Sequence, residues 1–226
     1  MLSEIDASPV QANHSGPTTE GRGILFVVSS PSGGGKGTLI QRVLDKVSNL
    51  SYSVSCTTRA PRPGEIDGRE YSFVTTEAFE EMIAAGEFLE WAWVHGKLYG
   101  TTRAQVSREI SAGRDIILEV DVQGAASVRS LLPDAVSIFI LPPSFEVLRQ
   151  RLQARGTDSP DELDLRLRNA STELRDYSAF QYVIINDELD RAAAEMVAVV
   201  HAERARLSRQ GERIRRVVEA FSATPE

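Results

Sequence analysis

Cysteine, histidine and excess positive charge are all scarce in this chain. Its 226 residues include one cysteine, Cys56. That excludes an intrachain disulfide framework and a cysteine-rich zinc site, and it fits a reducing cytoplasm. His95 and His201 stand alone, without the spacing of a metal-ligand pair. Acidic residues outnumber basic ones, 32 to 25, for a net charge of -7, which argues against a general nucleic-acid or membrane-surface binder. The longest apolar runs, such as ILFVV and VSIFIL, are too short to cross a bilayer. The opening stretch MLSEIDASPVQANHSGPTTEGRG has neither a basic n-region nor an apolar h-region, so it does not read as a secretory signal. Its Ser, Pro, Thr, Gly and Asn content predicts a flexible tail over residues 1–22.

What remains is the composition of an ordinary globular domain, long enough for one buried core with insertions. ILFVVSS (24–30), DIILEVD (115–121), AVSIFILPP (135–143) and YVIIND (182–187) are short continuous apolar runs. Such runs predict strands buried on both faces, as in a parallel sheet. Between them, residues 37–47, 145–156 and 188–207 carry helical spacing. Alternating strands and helices predict an α/β fold with right-handed crossovers. Residues 53–103 break the rhythm with aromatics, turns and short polar strands and predict an inserted α+β unit. Residues 156–170 form a shorter charged insert, in which Ser159-Pro160-Asp161-Glu162 has the form of a capping box with proline at the first helical position. The remaining segments, 23–52, 104–155 and 171–226, are assigned to the core.

SSPSGGGKGT follows the first apolar run directly. A strand, a glycine-rich turn, a lysine and a helix make a cradle for polyphosphate: backbone N–H groups converge on the anion, the helix N-terminus adds its dipole, and the lysine reaches the terminal phosphates. The candidate triphosphate-binding residues are therefore Ser30, Pro31, Ser32, Gly33, Gly34, Gly35, Lys36, Gly37 and Thr38. Two of them depart from G-x-x-x-x-G-K-[ST]. Ser30 replaces the first glycine, and Gly37 removes the hydroxyl that usually faces Mg²⁺, leaving Thr38 as its partial substitute. The form G-K-G-T is also that of adenylate kinases.

Arg59, Arg62 and Tyr71 lie in a turn-rich segment. Two guanidinium forks and a phenol suit a monophosphate; read alone, they also suit a solvated basic loop. Glu119 and Asp121 alternate along one strand, so both face the ligand crevice at its carboxyl end.

SVSCTTRAPRPGEIDGREYSFV, EFLEWAWVHGKLYGTT, ILEVDVQGA, LQARGT and IINDELD, in this order, resemble the guanylate kinase family over about residues 23–207. The resemblance implies a P-loop NTPase fold, three-layer α/β/α with a parallel core sheet, an inserted GMP-binding domain (53–103) and a small helical lid (156–170). It implies phosphoryl transfer from ATP to GMP, and to dGMP, with Mg²⁺ held through phosphates and water. Ser55, Arg59, Arg62, Tyr71, Glu90, Tyr99, Thr101 and Asp121 would bind GMP, with Glu90 accepting from the two adjacent donors of guanine. Lys36, Arg59, Arg151, Arg155 and Arg166 would carry catalysis, and Asn186 and Asp187 would lie near the adenine. The family commonly has aspartate where Glu119 stands.

Three rival readings follow from the same residues. Guanylate-kinase-like domains also serve as protein-interaction modules; those typically have a degraded phosphate loop, whereas Lys36 and three glycines are intact here. A kinase for another monophosphate would not depend on Glu90. A GTP switch would use Asp121-Val-Gln-Gly124 as D-x-x-G, but the chain has no N-K-x-D. Trp91 and Trp93 are expected to pack in the core, and the arginines of 204–216 to form a solvated helix face.

Overall fold

The computed structural model describes residues 21–94, 96–154 and 160–222. The expected tail up to residue 20, His95, Arg155 and the capping-box residue Ser159 lie outside the described residues.

In chain order, β1 (Leu25–Ser29), α1 (Lys36–Leu44) and β2 (Leu50–Tyr52) open the fold. β3 (Cys56–Thr57), β4 (Ser72–Phe73), α2 (Thr76–Ala84), β5 (Phe88–Val94) and β6 (Lys97–Thr102) follow. The chain continues through α3 (Arg103–Ser111), β7 (Asp115–Glu119), α4 (Val122–Leu131), β8 (Val136–Leu141) and α5 (Phe145–Ala154). It ends with α6 (Pro160–Glu173), a 3₁₀ segment (Leu174–Ala179), β9 (Tyr182–Ile185), α7 (Leu189–Arg204) and α8 (Leu207–Ser222).

Five strands form the core sheet, in the order β2-β7-β1-β8-β9, and every pairing is parallel. Alternation along each strand divides the core in two. Phe26, Val28, Ile117, Ile138 and Ile140 pack towards Leu39, Val43 and Met196 of α1 and α7. Leu25, Val27, Ile116, Leu118 and Phe139 pack towards Val106, Ala125 and Val128 of α3 and α4. These are three layers, as the continuous apolar runs require. β1 is central, and its Val28 pairs with Glu119 on one side and Ile138 on the other. The glycine turn therefore leaves the sheet beside Glu119, at the carboxyl ends of the strands, where ligands bind in open α/β sheets.

A second sheet, ordered β4-β3-β6-β5, is mainly antiparallel. Phe79 on α2 packs on Cys56, Phe88 and Leu98 behind it. Thr75, Thr102 and Asp121 each accept a backbone N–H at the start of α2, α3 and α4. α1 has no side-chain cap; Gly35 stands at its N-cap in the left-handed region, φ 83°. That end keeps its orphan amides for another acceptor.

Three expectations fail. The run YVIIND is not buried on both faces: β9 is an edge strand, and Val183 and Ile185 are exposed. Trp91 and Trp93 are 45% and 61% exposed. They alternate with Glu90, Ala92 and Val94, whose side is taken by a cleft, so the indoles point outward from an edge strand. Arg204 is not a solvated face residue either. Its Nε bonds Asp115 Oδ2 at 2.7 Å and its Nη2 donates to Ser48 O, while Asp115 Oδ1 accepts from Ile24 N.

Candidate active site

The phosphate loop is held from outside by side chains. Gly33 and Gly35 adopt positive φ, 86° and 83°. A Cβ on Gly35 would stand 2.5 Å from Asn186 Nδ2, and one on Gly33 would stand 2.9 Å from Leu148 and Leu152 side-chain carbons. Glycine is needed at both positions for conformation and for room. Asn186, expected near the adenine, is buried and donates to Gly34 O at 3.0 Å. Arg151 donates to Asn186 O at 2.8 Å and to Gly34 O at 3.4 Å. Asp187 pairs with Arg191. Ser30 Oγ bonds Pro31 O, and Ser32 N donates to Glu173 Oε2 at 3.1 Å.

Lys36 Nζ donates to Val120 O at 2.8 Å and lies 3.8 Å from Glu119. Glu119 Oε2 would be 3.9 Å from a Cβ at Gly37 and accepts from the Tyr52 phenol at 2.8 Å. Burial and the nearby Glu119 charge raise the Tyr52 pKa, so its phenol stays protonated and donating. Thr38 is exposed in the first turn of α1.

Lys36, Glu119, Val120 and Asp121 form one side of a cavity of about 280 Å³. Its other walls are Ser55, Arg59, Arg62 and Tyr71 from the loops, Glu90 from β5, and Tyr99 and Gly100 from β6. The Tyr71 and Tyr99 rings meet edge-on, centroids 5.8 Å apart, and the Arg59 guanidinium lies 5.3 Å from the Tyr71 centroid. Arg59 also makes a bidentate pair with Glu65, at 2.9 and 2.8 Å, while Glu65 accepts from Arg62 N at 2.7 Å. These bonds hold the Glu65 carboxyl below its usual pKa and shape the loop that carries both arginines.

Glu90 reaches the cavity through an irregularity in the sheet. The β5–β6 register shifts between Phe88 and Glu90, a bulge that turns Glu90 inward at 8% exposure. Burial pushes its carboxyl up to about 7, opposed by the Thr101 hydroxyl and reinforced by the like charge of Asp121. Thr101 is fully buried behind the cavity, its Oγ1 3.2 Å from Ser55 Oγ. Asp121 spends one oxygen capping α4 at Gly124 N, 2.7 Å. A Cβ on Gly124 would lie 3.0 Å from Glu90 Oε2, so the D-x-x-G glycine has a packing reason in the fold.

Of the residues expected from the sequence, Lys36, Ser55, Arg59, Arg62, Tyr71, Glu90, Tyr99 and Asp121 share this cavity. Arg151 and Asn186 instead gather on the far flank of the phosphate loop, and Arg166 lies on α6. The sequence pattern does not single out Tyr52, Glu65 or Glu173. Tyr52 ends a three-residue strand too short to show periodicity, and Glu65 is an unremarkable acid after a Pro-Gly turn. Cys56 is buried with its thiol pushed up, chiefly by burial, which makes it a poor nucleophile. Among the described residues no cluster of His, Cys, Asp and Glu forms a metal centre.

Residues 22–203 match the family model of guanylate kinase. A guanylate kinase of Dechloromonas aromatica (strain RCB) is 54% identical over 180 residues, covering 80% of this chain and 89% of the relative. One from Symbiobacterium thermophilum is 51% identical over 190 residues, covering 84% and 90%. The crystal structure of guanylate kinase from Anaplasma phagocytophilum superposes with a TM-score of 0.70 at 34% identity, covering 84% of this chain and 90% of that one. The chain belongs to the guanylate kinase family.

Proposed function

We propose that this protein transfers the γ-phosphoryl group of ATP to GMP, giving ADP and GDP, and that dGMP is also accepted. The supporting observation is one cleft that presents Lys36 together with a buried carboxylate, Glu90, and the arginine and tyrosine groups between them. Guanine offers two adjacent donors, N1–H and the exocyclic amine, and one ionised carboxylate accepts both. Adenine places an acceptor at N1 and leaves the carboxylate unpaired, a mismatch that sites of this kind reject by on the order of 10⁴.

Ser55 and Thr101 support the base edge. Arg59, Arg62, Tyr71 and Tyr99 take the acceptor phosphate, with Arg59 shared between Glu65 and that phosphate. Asp121 completes the guanine side. The loop amides of Gly33, Gly35, Lys36, Gly37 and Thr38 and the Lys36 ammonium take the triphosphate; the Ser32 and Gly34 amides are already bonded to Glu173 and to Pro31 O, and Asn186 supports this loop through Gly34 O. Phosphoryl transfer requires alignment, exclusion of water and matched positive charge more than covalent help. Arg151, Arg155 and Arg166 supply that charge from the lid side. The GMP phosphate oxygen attacks directly, so no protein nucleophile is involved. Residues 53–103 serve as the acceptor-binding insert and 156–170 as the lid, and both close over the nucleotides to keep the phosphoryl group from water.

The residues present suit Mg²⁺. Gly37 offers no hydroxyl, but Glu119 brings a hard oxygen beside it, and Mg²⁺ commonly keeps several waters and few protein ligands. Glu119 and Thr38 are the groups to hold it through water. When bound, the ion neutralises charge on the β- and γ-phosphates. Nucleotides are the expected partners, in the cytoplasm; no described helix is long and apolar enough to cross a membrane.

The test is ADP release from ATP and Mg²⁺ with GMP, AMP, CMP and UMP in turn. Turnover should be confined to GMP and dGMP. Equal rates with another monophosphate would overturn the base assignment, and no turnover with GMP would favour a binding module.

A further inference from the structure

α6 touches the phosphate loop through a side chain with no part in the scheme above. Glu173, its last residue, accepts the Ser32 N–H at 3.1 Å across 141 positions of chain. Glu173 does not line the acceptor cleft. The half-buried and buried positions of α6 run Leu163, Arg166, Leu167, Ala170 and Glu173 along one stripe. Within it, Leu167 and Ala170 pack on Leu148 and Leu152 of α5. Those two leucines are the side chains that close on Gly33. Arg166 and Glu173 are two helical turns apart and leave the same face. Apolar contacts are non-directional, so a charge-assisted hydrogen bond at the helix end adds a fixed orientation to that packing.

We propose that Glu173 is a positioning residue: by accepting the Ser32 N–H it locks the lid helix to the phosphate loop and fixes the rotation at which α6 presents Arg166 to the phosphoryl group in transfer. The inference rests on the phosphotransfer reading above. Aspartate at this position would be too short to span the contact, whereas glutamine keeps an oxygen that accepts from Ser32.

Glu173→Ala, Glu173→Gln, Arg166→Ala and the Glu173→Ala/Arg166→Ala double variant test it. Glu173→Ala should lower kcat by about tenfold to a hundredfold, the range for a lost charge-assisted bond, and leave the KM for GMP unchanged. Glu173→Gln should recover most of the loss. The double variant should be no slower than Arg166→Ala alone, because the lock acts through Arg166. Independent, multiplying losses would overturn the proposal, as would a kcat unchanged in Glu173→Ala. A second readout needs no substrate. In the ligand-free protein, hydrogen exchange at the Ser32 amide should accelerate in Glu173→Ala and stay slow in Glu173→Gln. A Ser32 amide indifferent to Glu173 would overturn the lock by itself, whereas wild-type protein inactive with every monophosphate would overturn the reaction reading.

Discussion

Asp115 and Glu203 in the core and Glu90 in the insert are all buried carboxylates, but their surroundings differ. Asp115 is bonded by Arg204 and by Ile24 N, and Glu203 by the Tyr182 hydroxyl and Arg206. Both are satisfied inside the fold and tie strands to α7. Glu90 has a threonine hydroxyl and faces a second acid, Asp121. Burying a carboxylate this way costs stability. The core thus uses polar groups to hold backbone in place, and on the proposed reading the insert uses them to accept from a base.

That contrast can be broken or sharpened by substitution. The largest effect belongs to Lys36, where core and insert meet. Lys36→Ala should reduce kcat by about 10³, with an unchanged circular dichroism spectrum and thermal midpoint. Next is Glu90→Gln, which should lower kcat/KM for GMP by about a hundredfold or more, since an amide cannot accept from both guanine donors. The same variant should be more stable than wild type above pH 7. The pKa of Glu90 is about 7 folded and about 4.5 in the unfolded chain. Between those values the folded state holds the extra proton, so stability falls as pH rises from 4.5 to 7, by about 3 kcal/mol in total. Urea melts at pH 5 and pH 8 should show the slope in wild type and its absence in Glu90→Gln. In the core, Arg204→Ala removes the guanidinium bonded to Asp115 and should cost about 2 kcal/mol in the same melts, with kcat near wild type at low temperature. The smallest change is Tyr52→Phe, which releases Glu119. It should raise the Mg²⁺ concentration for half-maximal rate by about tenfold, with the KM for GMP unaltered.

The core was readable because its three inner strands, β1, β7 and β8, are buried on both faces, so burial appears as uninterrupted apolar runs. The glycine loop was readable because its conformation admits few residue types, as Gly33 and Gly35 show. Trp91 and Trp93 misled because aromatic residues alternating on a strand look the same whether the opposite face is a core or a ligand cleft. The bulge that aims Glu90 depends on the register of β5 against Thr101 and Thr102 across the hairpin, which side-chain alternation along β5 alone does not show. Asn186, Arg151 and Glu173 support the loop through its backbone atoms, and backbone partners leave no signature in side-chain pattern.

A calorimetric titration of GMP, with AMP alongside, at pH 8 and pH 6 tests the base-reading cleft most directly. GMP should bind at pH 8 and about tenfold more weakly at pH 6, following the ionised fraction of Glu90. The phosphate of GMP also titrates near pH 6, so the component owed to Glu90 is the part missing from Glu90→Gln. AMP should give no comparable heat. Equal affinity for the two nucleotides, or no association with GMP by the folded protein, would contradict the assignment of this cleft to guanine.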